Sequence, residues 1–123
     1  MTKTIALVIT LVALTTANPD FSGRWSGNFR VDGGDHNVPQ LFIFQQQGTK
    51  LSGSGGPNEG EQYPIENGRI LNDDATFEVT TGEWKFTYHL KRGAKDELQG
   101  DLKLESVGDS RTAKVSLKRV KEK

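Results

Sequence analysis

The sequence predicts an all-β domain that closes as an eight-stranded antiparallel up-and-down barrel, and three observations lead there. From Ser22 onward apolar residues recur at every second position, the period of half-buried strands and not of helices. Glycine, asparagine and aspartate interrupt that alternation at short intervals. The segments they mark off are even in number, which lets a meander close through antiparallel pairs alone.

Ahead of the first strand, residues 1–17 carry Lys3, an apolar run over 5–14 and then Thr15-Thr16-Ala17. These are the basic, apolar and small-residue sections of a secretory signal peptide. The run is about half of the ~20 apolar residues a membrane span requires. Cleavage after Ala17 is therefore expected, leaving a secreted or periplasmic chain over 18–123 with no membrane attachment. That length fits one domain with a core of its own. The chain has no cysteine, so neither a disulfide nor a lipid anchor holds it, which points to a bacterial source. Sixteen basic residues balance sixteen acidic ones, and nothing in that balance argues for nucleic acid or an anionic membrane as partner.

Strands are expected at 22–31, 39–47, 50–55, 61–66, 69–81, 83–91, 96–105 and 111–119. Gln47-Gly48, Asn67-Gly68 and Thr81-Gly82 read as tight reversals, because glycine at the second turn position takes a positive φ at little cost. Longer breaks fall at 32–38, 56–60, 92–95 and 106–110. The fifth strand is too long to run straight, and Asn72-Asp73-Asp74 reads as a bulge within it. In the second strand, Leu41, Phe42, Ile43 and Phe44 put apolar groups on both faces. An outward Phe42/Phe44 pair would make a small patch for a protein partner, unless the N-terminal segment around Phe21 covers it.

A meander sends alternate connections to opposite ends. Gln47-Gly48, Asn67-Gly68, 92–95 and both termini share one end; 32–38, 56–60, Thr81-Gly82 and 106–110 share the other. Long loops on a rigid scaffold are where binding residues usually lie, so the second end is the expected mouth. Asp35, His36, Asn37, Asn58 and Glu59 supply polar groups there, and Tyr63 and Trp84 supply aromatic platforms of the kind that stack on the CH faces of sugars. The large residues Trp25, Phe29, Phe77, Trp84, Phe86 and Tyr88 are expected to fill most of the lumen, leaving a shallow site at the mouth.

Other chemistry is excluded residue by residue. No thiol is present, and His36 and His89 belong to no metal-ligand spacing. The glycines from 53 to 60 precede neither a Lys-Ser/Thr pair nor a helix, which rules out a phosphate-cradling loop. Asp73-Asp74 and Glu59/Glu61 are neighbours in turns and do not face each other across a substrate as glycoside hydrolysis requires. No catalytic residue, metal or cofactor is expected.

Gly23-Arg24-Trp25 on the first strand and Arg119 on the last resemble the signature of the calycin superfamily, which includes lipocalins, fatty-acid-binding proteins and avidins. The resemblance implies a barrel floor in which Gly23 and Trp25 sit beneath Arg119, its guanidinium packed across the indole. Departures are clear: the chain lacks the lipocalin C-terminal helix and disulfide. Ser26-Gly27-Asn28-Phe29 does not reproduce the polar residues of the avidin pocket, so biotin binding is not implied. The small barrel inhibitors of bacterial metalloproteases are also similar in size, but their cysteine pair is absent and their inhibitory N-terminus has no match in Asn18-Pro19-Asp20. The chain further resembles small exported domains of soil bacteria that open on Gly-x-Trp-x-Gly and close on a Leu-Lys-Arg-Val-like segment, a likeness that implies no activity. The expected function is an exported, non-catalytic binding barrel for a small molecule or glycan. The alternative is a protein-interaction or protease-inhibitor-like module acting through its outer face or N-terminus.

Overall fold

The computed structural model describes residues 20–121. The expected signal peptide over 1–17 lies outside them, and among the described residues no helix is long and apolar enough to cross a membrane. The alternation at Ser22 and beyond becomes nine strands: β1 (Gly23–Val31), β2 (Val38–Gln47), β3 (Lys50–Asn58), β4 (Glu61–Pro64), β5 (Glu66–Leu71), β6 (Asp74–Thr81), β7 (Trp84–Arg92), β8 (Glu97–Ser106) and β9 (Asp109–Arg119). Every pairing is antiparallel, and β1 bonds to both β2 and β9, which closes the sheet. Because β4 and β5 both pair with β3, they occupy one position in the wall. The architecture is thus a closed eight-position up-and-down barrel with one broken strand.

That break corrects one expectation. Asn67-Gly68 is not a reversal but a bulge, with Asn67 at φ 52° inside a register shift between Glu66↔Glu78 and Arg69↔Thr76. Chain reversal comes instead at Asn72-Asp73, where Asn72 takes φ 58° between the partners Leu71 and Asp74. Asparagine tolerates the left-handed region in either role, so the two sites look alike in sequence. Gly68 is required for another reason, since a Cβ there would stand 2.1 Å from the Leu51 carbonyl oxygen. Turn and bulge exchange places within one segment, so the strand count and the end assigned to each connection are unaffected. The mouth end carries the connections 32–37, 59–60, 82–83 and 107–108; the floor end carries 48–49, 72–73 and 93–96.

The second correction concerns Phe42 and Phe44, which form no outer patch. The registers Trp25↔Phe42 and Gly23↔Phe44 put both on the inward face, where Phe42 is 0% and Phe44 2% exposed. Their rings lie 5.5 and 5.4 Å from that of Phe77, and Phe42 lies 5.1 Å from Tyr88. Each such burial contributes roughly 1.5–3 kcal/mol, which decides the facing of the strand. Leu41 and Ile43 turn outward, half-buried. Arg24, opposite Ile43 in the register, pairs with Glu59. Phe21 is no outer cover either, being fully buried in the core.

At the floor Trp25 pairs in register with Arg119, whose guanidinium carbon stands 4.3 Å from the ring centroid. Arg119 also donates to Asp96 Oδ1 at 2.9 Å, to the Ser22 carbonyl at 2.6 Å and to the Asp20 carbonyl at 3.0 Å. The indole N–H donates to the Phe21 carbonyl at 2.9 Å. Gly23, at φ 126°, leaves room for the clamp, because a Cβ there would come 2.9 Å from Arg119 Nη1.

Candidate functional site

Toward the mouth the filling of the barrel stops short. β3 arrives there as Gly55-Gly56-Pro57, and the Phe42 ring occupies the space a Gly55 side chain would take, 2.4 Å from its Cβ position. Beyond that ring a cavity of about 200 Å³ remains. Phe29 of β1, Val38 of β2, Val79 of β6 and Phe86 of β7 give it apolar walls.

Four polar side chains of the wall work in two pairs. Gln40, on β2, is the one buried polar residue among the described residues. Its Oε1 accepts the Tyr88 hydroxyl at 2.6 Å, and its Nε2 donates to the Pro39 carbonyl at 2.9 Å. By valence the amide keeps a second N–H and the phenol oxygen keeps acceptor capacity. Burial pushes the Tyr88 phenol well above the ordinary tyrosine range, so it stays protonated. Nearer the solvent, the Tyr63 hydroxyl donates to Glu61 Oε2, and that bond raises the Tyr63 phenol as well.

The wall has a slot beside this cavity. Beyond Glu66↔Glu78, β4 pairs in a backbone ladder only with β3, and β6 only with β7, among the described residues. Glu61 and Tyr63 on one rim of the slot, and Val79 and Thr81 on the other, all line the cavity.

Of the residues expected at the site, Tyr63 stands in the wall. Asp35, His36 and Asn37 lie on the exposed 32–37 loop at the same end, with His36 Nε2 3.4 Å from Asp35 Oδ1. Asn58 turns back to accept the Gly60 backbone N–H at 2.9 Å, and Glu59 is taken up by Arg24. Trp84 opens β7 half-buried, packed against the core and not in the cavity wall. Sequence reasoning passes over Gln40, sets Glu61 aside as a turn carboxylate and assigns Phe29, Phe86 and Tyr88 to a filled lumen. A signal for Gln40 was present: it is the single polar residue at the inward parity of Val38, Gln40, Phe42 and Phe44.

Comparison with protein-family models, curated proteins and solved structures finds no match to this chain. The site therefore rests on its own geometry. Among the described residues no three His, Asp or Glu side chains gather where a metal ion could be held. A wider groove of about 680 Å³ crosses the outer face over β1, β9, β8 and β7. In it Lys114 pairs with Asp101 at 2.8 Å and His89 stands 3.7 Å from Asp74, beside Arg30, Lys91 and Arg92.

Proposed function

We propose that this protein is an exported, non-catalytic barrel that binds one small molecule in the mouth cavity. The observation that carries the reading is the cavity itself: apolar walls, a buried Gln40–Tyr88 pair with spare hydrogen-bonding capacity, and a position at the end that gathers the longest loop. Walls of this kind hold a ligand by area and orient it through few polar groups. Its size favours a compact molecule of about ten heavy atoms over an oligosaccharide. The Arg119–Trp25 packing, together with Gly23, supports a calycin-like relationship, in which a closed floor leaves the opposite end for the ligand. With Phe42 and Phe44 inside, the protein-interaction reading loses the surface that motivated it.

The test is a titration of isotope-labelled protein with a library of compounds of that size, followed through the methyl signals of Val38 and Val79. Binders should move both methyls, and Val79→Phe, which fills the cavity, should abolish the response. Binders whose shifts are confined to other surfaces, and persist in Val79→Phe, would refute the cavity as the site.

A further inference from the structure

We infer that the ligand class is a small organic cation, an amine or quaternary ammonium, a conclusion that rests on the cavity being the binding site. Two independent features of the mouth point there. The first is the wall. Phe29, Phe86, Tyr88 and Tyr63 contribute four aromatic rings, Phe29 and Phe86 meeting edge to face at 6.3 Å and Phe86 and Tyr88 lying near parallel at 6.4 Å. Ring faces carry partial negative charge and attract an ammonium group most strongly where water is excluded. Among the described residues Glu61 is the one acidic side chain of that wall, Tyr63 fixes its carboxylate by hydrogen bonding, and no lysine or arginine lines the cavity.

The second feature is the distribution of charge over the molecule. The chain is neutral overall, yet the four connections at the mouth contain Asp32, Asp35, Glu59 and Glu83 and neither lysine nor arginine. Arg24, which reaches this end from β1, is paired with Glu59. At the floor, Arg92 and Arg119 are directed onto Phe21, Trp25 and the carbonyl of Asp20. Against these four carboxylates the mouth receives two guanidinium groups, Arg24 on Glu59 and Arg30, whose Nε donates to the Gly34 carbonyl at 3.1 Å, so this end keeps an excess of negative charge, which concentrates cations. A carboxylate or phosphate ligand would meet this rim and Glu61 with no cation on the wall to receive it. A cation meets attraction at each stage of entry, from rim to Glu61 to ring faces.

Choline against dimethylbutanol, the alcohol in which carbon replaces its nitrogen, tests the inference at constant shape. Both are titrated into the labelled full-length domain, with the Val38 and Val79 methyls and the Gln40 side-chain amide as reporters. Choline should bind at least roughly ten-fold more tightly than the alcohol. The preference should fall close to one in Glu61→Gln, an exposed position where the amide keeps the shape, and should shrink in Phe86→Leu. Equal affinity of the two compounds, with the same reporters moving, would overturn the cation while leaving the cavity as a small-molecule site. Choline shifts confined to Asp35, Glu59 or Glu83, with the cavity reporters silent, would overturn it as mere rim attraction. Silence of both compounds at every reporter would also refute it, and the library titration then decides separately whether the cavity binds anything.

Discussion

Removing the Arg119 guanidinium would take a donor from Asp96 and the Ser22 carbonyl, leave the Asp20 carbonyl to Arg92 alone at 3.4 Å, and uncover one face of Trp25. Charge-assisted hydrogen bonds and the ring contact together suggest a loss of about 2–3 kcal/mol for Arg119→Met in urea unfolding. Arg119→Lys should recover less than half, because an ammonium has no planar fork to reach three oxygens and stack at once. At the other end, Tyr88 sets the alkaline limit. Its phenol is raised by burial, so the folded protein holds a proton that the unfolded chain releases from about pH 10 upward. Stability is fully present below that pH and should fall above it by about 1.4 kcal/mol per pH unit for this one group. Tyr88→Phe should flatten this dependence in denaturation curves taken between pH 9 and 11, at the cost of the Gln40 bond. Single residues differed in how well the sequence revealed them. Gly23, Trp25 and Arg119 were legible through the resemblance that Gly23-Arg24-Trp25 and Arg119 carry, with which the parity of their strands agrees. The 32–37 loop misled, because polar residues on a loop share an end with the cavity without reaching into it.

Within the strands, glycine marks two different things that sequence alone does not separate. At Gly100 of β8 a Cβ would stand 1.9 Å from the His89 carbonyl oxygen of β7, so the backbones approach as no other residue permits. Gly100→Ala should therefore destabilise by about 1–3 kcal/mol, the usual cost of forcing atoms into a packed site. Gly93, in the β7–β8 connection, has nothing within 4 Å of its Cβ position and no positive φ. Gly93→Ala should be neutral or stabilising by up to about 1 kcal/mol, through the unfolded chain. Thermal melts of the two variants side by side would check the contrast. The same ambiguity explains the exchange of turn and bulge at residues 67–74: both Asn67 and Asn72 favour a positive φ, and only the ladder decides which reverses the chain. β2 was ambiguous for another reason. Apolar groups on both faces leave the facing to cross-strand partners, Trp25 inside and Arg24 outside, which lie in a different segment. The slot between β4 and β6 had no signature at all, since it is an absent pairing between two ordinary strands.

On the scale of the molecule, eight positions, antiparallel closure and the sorting of connections to two ends all followed from period and count, whereas the cavity depended on volumes that patterning does not express. Closure itself is the least local event in folding. Hairpins such as β6–β7, β7–β8 and β8–β9 join neighbours, but β1 must find β9 across almost the whole chain, and that loop costs entropy before its contacts are made. Arg119→Met, which weakens this seam together with its tie to Asp96, should raise the unfolding rate and leave refolding near the wild-type value in stopped-flow chevrons. A slowed refolding limb would mean that the seam forms early. The seam has a mechanical meaning too. β1 begins and β9 ends at the same edge of one antiparallel ladder, with Trp25 opposite Arg119 as the first pair. A force drawing residues 20 and 121 apart would run nearly along the hydrogen bonds of that pair and open the ladder one rung after another, as a zip opens, without shearing all rungs together. The barrel should then yield to a weak pull on its two chain ends while resisting a pull applied along its strands, and the Arg119 clamp is the tab on which that weak axis is fastened.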